Sequence, residues 1–156
     1  MSTDNTLAAE TQFSIFLVNK PGILARVVQH LADTKINITA MSMMDSTEHG
    51  VLRLVADDAG ICRTALGELD LPKTEQEVLM ATLPNRPGAL ADFVERLASD
   101  HINVHYAYCT TGSRNGKTLG IFKVSNMPRA LKILGERRPR RKGATAIRNN
   151  GRTRRR

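Results

Sequence analysis

Hydrophobic and polar positions along the chain change period in a set order, and the order then repeats. Alternation comes first, with Phe13, Ile15 and Leu17 on one face of a strand, and later with Leu79, Ala81 and Leu83. A Pro-Gly turn and an amphipathic helix follow each strand. Leu24, Val27, Val28 and Leu31 fall at i, i+3, i+4 and i+7, as do Leu90, Phe93, Val94 and Leu97. The next stretches predict two hairpins, 36–44 with 50–56 and 102–110 with 118–124, the second turning at Asn115-Gly116. A second helix then begins after a capping residue, Asp58 or Ser125. In the later copy Pro128 lies in its first turn, and Met127, Ala130, Leu131 and Leu134 form its inner stripe.

Comparing the chain with itself explains the recurrence. Asn19–Asp45 aligns without gaps with Asn85–Thr111 at an offset of 66, and ten of 27 positions are identical. Past the hairpins the offset becomes 68, so Asp57-Asp58 falls on Ser125-Asn126. One supersecondary unit therefore occurs twice. Its order is β-α-β-β-α plus a closing strand, which residues 74–83 supply for the first copy while opening the second. For the second copy GATAI (143–147) is the candidate closing strand. The fold class is α+β: two ferredoxin-like βαββαβ units packed side by side, with antiparallel sheets and helices on one face. Repeat 1 is expected over 11–73, repeat 2 over 74–136, and a basic, disordered tail over 137–156.

Charge changes the picture at one end only. Of 156 residues, 23 are Lys or Arg and 15 are Asp or Glu, but ten of the basic ones and no acid lie in 137–156. The remaining 136 residues carry 13 basic against 15 acidic side chains, a net −2. Attraction to phosphates or acidic surfaces thus belongs to the tail. No apolar run approaches the roughly 18 residues of a membrane span, and the polar, acidic start lacks the features of a secretory signal. Two distant cysteines, Cys62 and Cys109, make neither a disulfide framework nor a four-ligand zinc site. A soluble, reducing, cytoplasmic setting is the expectation.

The repeated element with chemistry in it is N-[KR]-P-G-[IA]-L-A at the strand-to-helix junction. Gly22 and Gly88 let a ligand approach the backbone and permit unusual φ values. The helix that follows opens with N–H groups lacking intrahelical partners, which with the dipole favour a carboxylate or other anion. Asn19 and Asn85 stand three residues earlier, and Asn37 and Asn103 recur 18 residues on. Helix-start N–H groups and two side-chain amides match the carboxylate and ammonium of a free amino acid. The plainer reading is ordinary turn chemistry in which the first Asn only caps the helix.

The pattern strand–N-x-P-G-x-L–helix–I-N–strand, present twice in NKPGILARV and NRPGALADF, resembles a pair of ACT domains over about residues 11–135. These are small regulatory modules of amino-acid metabolism, similar to those of phosphoglycerate dehydrogenases and acetolactate synthase regulatory subunits. The resemblance implies a non-catalytic regulatory protein. Its effector would be a free amino acid, held by Asn19, Gly22, Ile23, Leu24 and Asn37 in one site and by Asn85, Gly88, Ala89, Leu90 and Asn103 in another. It also implies that such sites form where two modules meet, in tandem or between chains. The serine-sensing version carries a histidine two positions before the first Asn, where this chain has Leu17 and Leu83, which tilts the pocket towards an apolar side chain. Met41, Met43 and Met44 are either its lining or plain core.

Other signals carry less. TGSRNGKT has three residues between its glycines where a P-loop has four, and a strand follows where a helix is needed. His101 and His105, read on one strand, lie roughly 13 Å apart, too far to share a metal. Cys62 sits on the inner stripe of its helix as a buried thiol. No nucleophile, base and orienting acid recur at an interpretable spacing, so no catalytic residue, metal or cofactor is expected. RNA-recognition modules share this topology, but their stacked aromatic pair is missing from SIFLVN and VLMATLPN. The expected partners are an amino acid, a homodimer mate through exposed sheet edges, and a catalytic enzyme subunit. The alternative is a nucleic-acid or acidic-partner binder acting through 137–156.

Overall fold

A computed structural model describes residues 7–44, 49–110 and 117–136. Its elements follow the expected order: β1 (Leu7–Val18), α1 (Ile23–Asp33), β2 (Ile38–Met44), β3 (His49–Ala56), α2 (Ala59–Glu68), β4 (Lys73–Pro84), α3 (Ala89–Ser99), β5 (Val104–Thr110), β6 (Lys117–Val124) and α4 (Met127–Gly135). All six strands join one antiparallel sheet in the order β2-β3-β1-β4-β6-β5.

The central pair makes this continuity. β1 pairs with β3 through residues 12–18 and with β4 through 7–15, whereas β4 pairs with β1 through 73–81 and with β6 through 79–84. Each of these strands serves both repeats. Thr11 pairs with Glu77, and the repeat offset carries one onto the other, so an approximate twofold axis passes between them. The start of β1 thus closes the second unit, and Leu7 packs into that unit's core. The candidate closing strand at 143–147 and the turn at Asn115-Gly116 lie outside the described residues.

Each repeat has its own core on the helix side of the sheet. Phe13, Ile15 and Leu17 pack with Val27, Leu31, Leu52, Leu54, Cys62 and Leu66, and Leu79, Ala81 and Leu83 with Phe93, Leu97, Phe122 and Ala130. The predicted stripe holds in α1 but turns in α3, where Ala89, Phe93 and Leu97 are buried while Leu90 and Val94 are exposed. A helix lying on a sheet buries one narrow row, and no described element covers the flank beside it.

Both hairpins begin two residues later than predicted. Ile36 N–H reaches back to Leu31 O (3.0 Å) and Ile102 N–H to Leu97 O (2.9 Å), which closes each preceding helix. Lys35 (φ 60°) and His101 (φ 56°) occupy the left-handed position of this C-terminal cap. His101 is therefore a cap residue, and only His105 belongs to the strand. The second helix of the later repeat starts one residue after the expected point, because Asn126 caps α4 by accepting from Arg129 N–H at 3.1 Å. Ser125 instead accepts from Asn103 N–H at 3.0 Å.

The face of the sheet away from the helices is occupied by the chain itself. Strands β2 and β5, at opposite ends of the strand order, touch each other. Fully buried Gln12 donates to Tyr106 OH (2.8 Å) and Ser14 Oγ (3.2 Å) and accepts from Tyr108 OH (3.0 Å). Tyr106 donates onward to Gln76 Oε1 at 3.1 Å, and the Arg53 guanidinium lies 4.2 Å from its ring centroid. Burial pushes the Tyr108 phenol above its ordinary range. Side chains of both repeats are thereby tied together on the surface that an RNA-recognition module would use for stacking.

Candidate functional site

Each N-x-P-G loop joins the end of a central strand to the first helix of its repeat. Lys20 N–H bonds Val18 O at 2.8 Å and Arg86 N–H bonds Pro84 O at 2.9 Å, which tightens both loops alike. The chain then passes through Gly22 (φ 88°) and Gly88 (φ 84°), left-handed conformations that a side chain would strain. These glycines are the N-caps of α1 and α3, so the cap residue offers no side-chain acceptor. The second helices differ: Asp58 accepts from Ile61 N–H at 2.9 Å, and Asn126 caps α4 in the same way. Of the four helices among the described residues, the two that follow the repeated motif lack a cap residue able to accept.

Around each loop the candidate residues divide. Asn19, Gly22, Asn85, Gly88 and Leu90 are exposed, Ile23 and Leu24 are half-buried, and Ala89 is buried. Arg86 reaches over the second loop, donating to Pro87 O at 3.1 Å and to Asp92 Oδ2 at 2.8 Å. The first loop has Lys20 and Arg26 at those places, so its helix start carries no acid. Sequence reasoning passed over Arg86 and Asp92, although a cation and an acid six residues apart across the motif were visible.

Asn37 and Asn103 stand at the starts of β2 and β5, far from the loops of their own repeats. Val18 pairs with His49 and Ile38 with Ala56, seven residues further along β3. At about 3.4 Å per residue, Asn19 and Asn37 are roughly 24 Å apart, and the matching pair in repeat 2 is equally separated. The physical reason is the crossover: β1 and β2 run parallel, and α1 returns the chain to the opposite end of the sheet. Asn37 N–H donates to Asp57 Oδ1 at 3.1 Å, as Asn103 N–H does to Ser125 Oγ, so the backbone at both positions is set alike. The loops therefore lie at the two ends of the sheet and the second amides at its waist, level with Thr11 and Glu77.

Leu17 and Leu83 are buried in the cores of their repeats. Met41, Met43 and Met44 are neither core nor gathered at a loop: they lie along β2 with 41%, 47% and 51% of their surface exposed. Met44 Sδ accepts from Arg53 Nη1 at 2.9 Å. Cys62 is buried, and burial pushes its thiol up to about 11, whereas Cys109 is exposed.

A family model described as an ACT domain pair matches residues 8–138. No curated protein matches the chain by sequence. Among solved structures, protein BT0572 from Bacteroides thetaiotaomicron is 29% identical, with a TM-score of 0.76, covering 83% of this chain and 88% of its own. The regulatory subunit of aspartate kinase from Thermus thermophilus, in its ligand-free form, is 17% identical with a TM-score of 0.61 over 84% and 96% of the two chains. The aspartokinase alpha and beta subunits follow at 18% and 0.57, covering 83% and 95%. The last two likenesses show a shared fold.

Proposed function

The chain belongs to the family of ACT domain pairs, and from that premise we propose that it senses a free amino acid and passes the bound state to a partner protein. The observation that carries this reading is the repeated helix start at Gly22 and Gly88. There, twice, a left-handed glycine leaves the N–H groups of Leu24-Ala25 and of Leu90-Ala91 without a cap residue that can accept. A carboxylate suits these donors and the positive end of the helix dipole. Because 24 Å or so separates the two amides of a repeat, a ligand at Asn19 takes its second amide from another module. The loop ends and the waist of the sheet then meet between two copies of the chain, as exposed Leu90 and Val94 beside one loop favour. The sites are Asn19, Gly22, Ile23 and Leu24 with a second chain's waist amide, and Asn85, Gly88, Ala89 and Leu90 likewise. The partner is a biosynthetic enzyme of amino-acid metabolism, and the repeats run over 11–73 and 74–136 with the strand at 74–83 shared.

Thermal unfolding against a panel of amino acids tests the reading. A ligand at about 100 times its Kd adds roughly 2.7 kcal/mol, a rise of several degrees for a chain of this size. The shift should be selective and should disappear in Asn19→Ala with Asn85→Ala. A panel without any shift, at millimolar concentration, would refute it. A second reading rests on the ten basic residues in 137–156: contact with nucleic acid through the tail. It is refuted if a chain ending at Glu136 binds RNA or DNA as well as the full chain.

A further inference from the structure

A crevice lies beside the helix pair of repeat 2. About 340 Å³ of open space lies between α3, the end of α4 and β4, against the start of β1. Leu7, Ala81, Leu83, Phe93 and Leu134 give it apolar walls, and Arg86, Asp92 and Arg96 line it as well. Ala81 and Ala89 stand where repeat 1 has Ile15 and Ile23, each three carbons larger. Repeat 1 also folds buried Leu69 and half-buried Leu71 onto its core beyond α2. At the matching places the sequence of repeat 2 has Arg137 and Pro139. Small residues on the sheet and on the helix thus give the crevice its room.

Its charge has a definite sign. Arg86 is paired with Asp92 at 2.8 Å. Arg96 spends one nitrogen, Nη2, on the carbonyls of Ile133 and Glu136, and so ties α3 to the end of α4. Two guanidinium groups against one carboxylate leave one positive charge in excess beside the apolar walls. Guanidinium groups favour planar, two-oxygen acceptors. At the roughly 30 Å³ that a water occupies in the liquid, the space suits about ten non-hydrogen atoms.

We infer that the crevice between α3 and α4 of repeat 2 binds a small carboxylate with an apolar body, its carboxylate at Arg86 and Arg96 and its body against Leu7, Phe93 and Leu134. This site adjoins the amide-bearing one, for Ala89 lines it while neither Asn85 nor Asn103 does. Two sources share the chemistry: an apolar amino acid, whose ammonium would face Asp92, and the corresponding acid without the amine.

The test is calorimetric titration of the full chain with leucine, phenylalanine, 4-methylvalerate and 3-phenylpropionate. Saturable binding of at least one is expected. Ala81→Ile, which gives repeat 2 the residue of repeat 1, should weaken it at least tenfold. Arg86 is largely exposed, so Arg86→Met keeps the fold and should weaken binding about tenfold even if Ala81→Ile fails to fold. A twofold or greater preference for the amino acids that is lost in Asp92→Asn places the ammonium at Asp92. Equal affinity for both classes assigns recognition to the carboxylate alone, and either result supports the inference. Absence of saturable binding by all four ligands overturns it, as does binding that survives both Ala81→Ile and Arg86→Met unchanged. That last outcome would leave the loop reading standing, so the two can fail separately.

Discussion

Replacing Gln12 by alanine perturbs a buried polar side chain that joins the two repeats inside the curved sheet. Gln12 is fully buried and makes three side-chain hydrogen bonds, of 2.8, 3.0 and 3.2 Å. Tyr106 keeps a partner after the change, because its hydroxyl still donates to Gln76. Tyr108 does not, and its phenol is already pressed by burial. A buried donor left without an acceptor costs about 1–3 kcal/mol, and the space left by the lost side-chain atoms adds to that. The expected loss is about 3 kcal/mol. With a urea slope of about 1.5 kcal/mol/M, the midpoint should fall by about 2 M.

Far-UV circular dichroism follows this transition, since the chain has no tryptophan. The curve should stay a single step, because the network and the shared strands β1 and β4 couple the repeats. Combining Gln12→Ala with Tyr108→Phe should cost less than the sum of the two changes by about 1 kcal/mol, as expected for residues in contact. A loss below about 0.5 kcal/mol, or strict additivity, would show that the network does not bind the repeats together.

Two further outcomes follow from packing and ionisation. A Cβ added to Gly120 would lie 2.5 Å from Cε2 and 2.9 Å from Cζ of Phe122. That ring is buried and sits 4.6 Å from the Phe93 ring, so Gly120→Ala should cost about 1–3 kcal/mol by overpacking; a midpoint equal to wild type in urea would refute this. Cys62, held neutral by burial up to about 11, should resist iodoacetamide at pH 8 in the native chain, while Cys109, whose thiol burial also raises but which reaches solvent, should be alkylated first. Peptide mass mapping reads both sites, and early labelling of Cys62 would refute the assignment. The raised value also sets a sign. The unfolded thiol loses its proton near 9.0 and the folded one near 11, so this contribution is present below pH 9 and is lost as pH rises between the two.

Much of the fold was legible because its information is local. The alternation at Phe13, Ile15 and Leu17 and the helical spacing at Leu24, Val27, Val28 and Leu31 report burial, and of these all but half-buried Val28 belong to the core or pack against it. Pro-Gly placement announced both loops, and Gly22 and Gly88 adopt the left-handed backbone that it suggested. Less legible were residues whose burial depends on neighbours distant in sequence. Leu90 and Val94 carry the same spacing as Leu24 and Val28, yet they are exposed because no described element covers that flank. Met41, Met43 and Met44 look like core and lie on an edge strand. Gln12 looks like a surface residue and is buried, because Tyr106 and Tyr108, more than 90 residues away, satisfy its amide.

By itself the sequence determined that one unit occurs twice, the order of elements within it, the two loop starts and the segregation of positive charge in residues 137–156. Those features depend on spacing within a few turns of chain, which periodicity and turn chemistry record. The tertiary structure alone decided that β1 and β4 each serve both repeats, that the loop and the second amide of a repeat stand at different levels of the sheet, and that a crevice opens between α3, the end of α4 and β4. Strand register and the crossing of helix over sheet set those distances, and they arise only when segments tens of residues apart compete to bury the same apolar surface.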